Sequence, residues 1–154
     1  TDQMFFENNP FEAVRKRSDL NGLQKLRETI RLNQADTART DMTVQAIPIT
    51  KNPRVLVGMI DSNRRVLTPY FLELIEEGNK DGSLHTEYAK EIAELLPLLT
   101  SLWLLPAVFP ATKEDMKRKF SFIKDMLDSM GVPLVDDTIM TLVDEFLSKM
   151  PDQK

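Results

Sequence analysis

The sequence has no cysteine, which excludes disulfides, thiolate nucleophiles and the common thiolate zinc sites and is compatible with a reducing cytoplasm. It has a single histidine, His85. A di-metal carboxylate bundle needs a Glu-x-x-His pair from each of two helices, so that site is excluded. His85 follows Gly82 in a turn just before a helix start, the setting of a surface polar residue rather than of a catalytic base. Glycine is scarce, with five in the chain, and no Gly-rich phosphate loop exists. No catalytic site, metal or cofactor is therefore expected, and the chain reads as a non-enzyme. A basic face is also missing: the net charge is -4, and the clusters Arg15-Lys16-Arg17 and Arg64-Arg65 sit among acidic residues as solvated surface, unlike the basic face of a nucleic-acid binder. The amino terminus TDQMFFENN has no signal-peptide pattern and no initiating Met, as a fragment, a processed chain or a product of tag removal would lack it. Long hydrophobic runs are absent too. The greasiest stretch, from Leu95, is interrupted by Pro97, Thr100, Ser101 and Pro106 and falls short of the roughly 20 residues of a membrane span.

What is present is helix-forming sequence. With 42% hydrophobic and 29% charged residues over 154 positions, the composition is that of one globular domain with a real core. Leu, Met, Glu and Lys abound, and no alternating strand pattern occurs. The expected class is all-α, a bundle of about six helices spanning 1–154. Short helical pieces flank a bend at Pro10. Leu20, Leu23, Leu26 and Ile30 predict a helix from about Asn21 to Asp36, and a looser one follows over Thr37 to Ala46. Asn52 and Pro53 start a long helix that carries Leu56, Ile60, Leu67, Phe71 and Leu74 on one face and either kinks at Thr68-Pro69, the favoured reading, or gives way there to a new helix capped by Thr68. Gly78 and Gly82 end it. Thr86 caps a central helix. Thr112 with Asp115 forms a capping box for a helix with Met116, Phe120, Ile123, Leu127 and Met130 inward. Asp136 or Asp137 opens the last one, with Ile139, Leu142, Val143, Phe146 and Leu147 inward.

The central segment, Thr86 to Pro110, carries two apolar stripes. Tyr88, Ile92, Leu95, Leu96, Leu99, Trp103 and Pro106 make an ordinary inward face. Leu98, Leu102, Leu105 and Phe109 repeat at the same spacing about a third of a turn away, with small Ser101 beside them. Phe122 and Met126 extend this second seam from the next helix. Each such side chain left in water forgoes about 1.5 to 3 kcal/mol, so the expectation is a homodimer that hides the seam between two copies. A monomeric bundle that buries this helix on all sides is the competing arrangement.

Gln34 and Asn63 lie in the middle of apolar stripes. Two readings stand: they orient a ligand in a mostly greasy cavity together with Met59, Tyr70 and Trp103, or they satisfy backbone carbonyls near the Pro69 kink or a helix end.

The order of elements resembles the carboxyl-terminal domain of TetR-family transcriptional regulators. The resemblance covers nearly the whole chain and rests on loose motifs: the turn and helix start carrying Glu77, Gly78, Asp81, Gly82, Leu84, Thr86, Tyr88, Ala89 and Ala93, and the segment DLNGLQKLRETI with Leu23, Lys25 and Leu26. It implies an all-helical domain that dimerises through a four-helix bundle, binds a small hydrophobic effector and releases DNA through a population shift. The family's helix-turn-helix head is not in these residues. DNA contact would come only through such an N-terminal domain, to which residues 1–18 would be a remnant of the connection. Such a regulator is cytoplasmic and not membrane-bound. The alternative is a helical protein–protein interaction module that grips a partner through Leu98, Leu102 and Leu105 and has no ligand cavity.

Overall fold

A computed structural model describes residues 10–32, 52–106 and 108–149, and every regular element among them is a helix, with no strand. Six helices are present among the described residues, in keeping with the about six that the periodicity predicts. They are α1 (Pro10–Arg15); α2 (22–32); α3, an unbroken helix over 53–81; α4 (Ala89–Leu98), prolonged by the π-helical turns Leu99–Trp103; α5 (Lys113–Ser129); and α6 (Asp137–Ser148). The expected helix over Thr37 to Ala46 and the apolar residues Met4 to Phe6 lie outside the described residues.

Helix starts follow local chemistry. Asn21 accepts from the Gln24 amide at 2.8 Å while the Gln24 side chain accepts from the Asn21 amide at 2.9 Å, a reciprocal box that opens α2. Asn52 accepts from the amides of Arg54 and Val55, with Pro53 in the first turn of α3, where a missing N–H costs nothing. The Thr112–Asp115 capping box is complete, and Asp136, not Asp137, caps α6 by accepting from the Ile139 amide. Thr86 differs from expectation: α4 begins at Ala89 with Tyr88 at its cap, and the Thr86 hydroxyl instead accepts from the Tyr88 amide in the preceding turn.

Both long helices pair a proline with a wide turn. Pro69 donates no hydrogen bond, and its ring crowds the carbonyl one turn back. The π-helical turn Asn63–Leu67 precedes it, with the Thr68 amide reaching five residues back to the Asn63 carbonyl. The helix therefore continues through Pro69 as one element. Pro97 in α4 is followed by the second π segment, closed by Leu104 N–H on the Leu99 carbonyl at 2.8 Å. One extra residue per π turn rotates everything beyond it by about 100°. In α3 that rotation displaces the expected face. In the first three turns of α3 nothing is buried, and Ile60 is 41% exposed, so the predicted Leu56–Ile60 part of the inward stripe faces outward. Beyond the wide turn the buried positions are Val66, Tyr70, Leu74 and Ile75. In α4 the inward residues are Ile92, Ala93, Leu96 and Leu99, whereas Tyr88 and Leu95, predicted inward, are exposed.

The second half of α3 packs chiefly on α4, and α5 on α6. Gly78, expected to end α3, lies inside it. The helix stops three residues later at Asp81 and is capped by Gly82, whose φ of 90° is the left-handed conformation glycine adopts at no steric cost. What Gly78 supplies is room: a Cβ there would stand 2.5 Å from the Leu84 side chain, and one on Gly22 would stand 2.3 Å from the Gly78 nitrogen. Helices α2 and α3 thus cross backbone to backbone. Arg27 fixes the other end of the assembly, donating to the carbonyls of Pro133 (2.7 Å) and Leu134 (3.2 Å) between α5 and α6.

Candidate functional site

A cavity of about 180 Å3, partly open to solvent, lies between the carboxyl-terminal helices of the bundle. Leu96, Leu99 and Leu104 line it from α4 and its π extension. From α5 come Met116, Phe120, Ile123 and Leu127, and from α6 Ile139, Val143 and Phe146. Ile30 closes it from α2, which the Arg27 hydrogen bonds hold against the α5–α6 connection. Thr100 is the one polar side chain among the described residues of this lining. Its hydroxyl donates to the carbonyls of Leu96 (3.3 Å) and Pro97 (3.2 Å). An apolar hollow of this kind favours apolar guests; an enclosed one of roughly 150 Å3 holds benzene.

The expected ligand residues are placed elsewhere. Gln34 lies outside the described residues. Met59, Asn63, Tyr70 and Trp103 do not line the cavity. Asn63 and Tyr70 share the buried side of α3, Met59 is half-buried one turn earlier, and Trp103 lies at the far end of α4. Tyr70 belongs to a polar network that ties three helices together. Its hydroxyl lies 2.7 Å from Thr29 Oγ1 and donates to the Phe11 carbonyl at 3.1 Å. Burial pushes this phenol up to about 12, against the opposing hydrogen bond from Thr29. Beside it, Lys25, 5% exposed, donates to the Arg15 carbonyl (2.9 Å) and to Glu77 (2.8 Å). Among the described residues no buried side-chain nitrogen or oxygen is left without a partner, and Asn63 is not without one. These polar groups hold α1, α2 and α3 in register; they do not converge on a hollow.

The residues of the predicted seam form a more open surface. Leu98 is 38%, Phe109 48% and Phe122 57% exposed, while Leu102 and Met126 are half-buried. Leu105 lines the cavity, and Ser101 falls in the π segment with its side chain outside the described residues. Trp103 meets Phe122 edge to face at 5.8 Å. Lys119 donates to the Trp103 carbonyl at 2.8 Å, with its ammonium 4.9 Å from the indole centroid and 5.4 Å from that of Phe109. One cation thus sits over two aromatic rings on the outside of α4 and α5, with Phe122 packed edge-on to the first.

The basic clusters are internally paired. Arg15 pairs with Glu12 and Glu73, Arg17 with Asp19, and Arg64 and Arg65 both with Asp61 at 2.8 Å. Hydrogen bonds from Arg64 and Arg65 hold the Asp61 carboxyl below its ordinary range. Phosphate binding there would have to break these pairs. His85 is exposed, and its amide bonds the Gly131 carbonyl at 2.9 Å. Among the described residues no group of three or more metal-ligating side chains comes together, and no helix is long and apolar enough to cross a membrane.

Sequence reasoning missed the buried polar stripe Gly22, Lys25, Thr29, although its i, i+3, i+7 spacing is as helical as that of Leu23, Leu26 and Ile30. It assigned the cavity's walls to solid core, since a lining residue and a packed one obey the same periodicity. Compared with known proteins, the chain matches no family model, no curated protein and no solved structure.

Proposed function

We propose that this chain is the effector-binding and homodimerisation domain of a TetR-like transcriptional regulator of the cytoplasm, a binding protein and not an enzyme. A small apolar effector occupies the cavity among α4, α5 and α6, and occupancy is coupled to DNA release by a helix-turn-helix head outside these residues. The observation that carries the reading is the cavity itself: about 180 Å3 lined by apolar side chains of α4, α5 and α6 with Ile30 of α2, space that solid packing would fill at a gain in stability. The resemblance of the 77–93 segment supplies the regulatory context. The aromatic and leucine surface of α4 and α5 supports dimerisation, because exposed apolar side chains of this size are covered in stable assemblies.

The same surface favours a second reading, an interaction module gripping another protein. Sedimentation equilibrium over a hundredfold concentration range, paired with native mass spectrometry, separates the two. A dimer that carries a co-purified small molecule supports the regulator. A monomer at every concentration, with no bound molecule and none taken up from added apolar compounds, overturns it. Leu102→Asp places an unpaired charge in the proposed seam and is expected to yield monomer; an unchanged mass would remove Leu102 from the interface.

A further inference from the structure

We infer that the cavity selects an uncharged, single-ring-sized ligand bearing one hydrogen-bond donor, a phenol- or alcohol-like molecule whose donor meets the Thr100 hydroxyl. The inference rests on the effector-binding reading above and specifies the ligand's chemistry.

Size comes first. A volume of about 180 Å3 only slightly exceeds the roughly 150 Å3 that accommodates benzene, and lies below the roughly 300 to 1,000 Å3 of drug-sized sites. A ring with a small substituent fits; a fused polycycle does not. Charge comes next. Among the described residues no Asp, Glu, Lys, Arg or His lines the cavity, so an ionised ligand would lose its hydration with no counter-charge from them in return. The lone polar wall then decides the remaining group. The Thr100 proton is already donated to the Leu96 and Pro97 carbonyls, so its oxygen offers acceptor lone pairs. A ligand O–H or N–H completes that hydroxyl, whereas a carboxylate, which only accepts, must compete with both carbonyls for its single proton. Thr100 is also exposed, which places the donor at the mouth and the hydrocarbon body against Leu99, Ile123 and Val143. Pro97 belongs to this device. The wide turn after it sets the register in which Thr100 and Leu99 both face the hollow.

The test uses three probes of one shape, 4-methylphenol, toluene and 4-methylbenzoate, titrated into the intact chain by calorimetry. The expected order is 4-methylphenol tightest, toluene about three- to tenfold weaker, and 4-methylbenzoate weaker than the phenol by at least about a hundredfold. Thr100→Val is expected to bring 4-methylphenol down to the toluene level while leaving toluene unchanged, which also verifies that the variant folds. Thr100→Ser is expected to restore the preference. Benzoate binding as tight as the phenol would overturn the exclusion of charge while effector binding stands. Equal affinity for phenol and toluene, unaffected by Thr100→Val, would overturn the donor assignment. Failure of all three probes to bind would overturn the effector-binding reading itself.

Discussion

Gly22→Ala and Gly58→Ala, the same substitution in two helices, are expected to change stability in opposite directions. At Gly22 an added Cβ stands 2.3 Å from the Gly78 nitrogen, 2.5 Å from its Cα and 2.6 Å from the Leu74 carbonyl oxygen. All three are backbone atoms of α3, so no side chain can swing aside, and the two helices must separate. Overpacking of this kind costs about 1 to 3 kcal/mol. The upper end applies, because separation also pulls the Gly22 amide from Asp81, now 2.8 Å away, and Leu23 from Ser83 at 3.2 Å. Alanine's helical preference returns at most about 1 kcal/mol. The net expectation is a loss of about 1 to 2 kcal/mol, or several degrees in melting temperature for a chain of this size. At Gly58, inside the first part of α3, a Cβ meets nothing within 4 Å. Only the backbone term remains there, and Gly58→Ala is expected to stabilise by about 0.4 to 1 kcal/mol. Urea unfolding followed by far-UV circular dichroism reads both. A Gly22→Ala variant as stable as the parent would mean that α2 and α3 do not cross at this point, and the packing derived for the amino-terminal half would fail with it.

Two further outcomes follow from the polar network beside that crossing. Lys25→Met keeps the stem packed but removes the charged bonds to Glu77 and the Arg15 carbonyl. Because Glu77 is partly exposed and regains water, the loss is expected at about 1 to 3 kcal/mol rather than the larger cost of stranding a buried charge; a double-mutant cycle with Glu77→Gln that shows no coupling would contradict the pairing. Tyr70 gives a pH signature. Its phenol is held up to about 12 by burial, so the folded state keeps a proton that the unfolded chain gives up near 10. Its contribution is complete below pH 10 and lost between pH 10 and 12, about 2 to 3 kcal/mol in all. Tyr70→Phe is expected to remove that component of the alkaline fall in urea midpoints, and an identical alkaline profile would refute it.

Helix number and most helix starts were legible because they depend on neighbours in sequence: Asn21 with Gln24, Asn52 with Pro53, Thr112 with Asp115 and Asp136 with Ile139 are local hydrogen-bond arrangements. The faces were less legible. Ile60 was expected inward because its spacing fits a regular helix, yet a wide turn lies between it and the stretch whose phase it was given, and a π turn leaves no mark in a hydrophobic pattern; Leu95 stands at the edge of the stripe formed by Ile92, Leu96 and Leu99, which are buried as expected. Pro69 and Pro97 signalled a local disturbance without specifying its form. The cavity was illegible for a different reason. Whether Phe120, Ile123 and Val143 touch across the bundle or stand around a hollow depends on helix separation, which backbone crossings such as Gly22 on Gly78 set from a distance. Of the expected ligand set, Tyr70 proved to be a structural polar residue; its burial could be foreseen, but not that Thr29 and the Phe11 carbonyl would satisfy it.

The position of Trp103, the only tryptophan in the chain, gives the molecule an optical reporter of its own. Three residues before it, Thr100 lines the cavity; against its other side stand the Lys119 ammonium and the Phe122 ring. Filling the hollow disturbs the indole through the helix that carries it, whereas covering the outer surface withdraws the same ring from solvent. Emission wavelength and the accessibility of the ring to a dissolved quencher therefore record two separate events without a label, one for the guest and one for the partner.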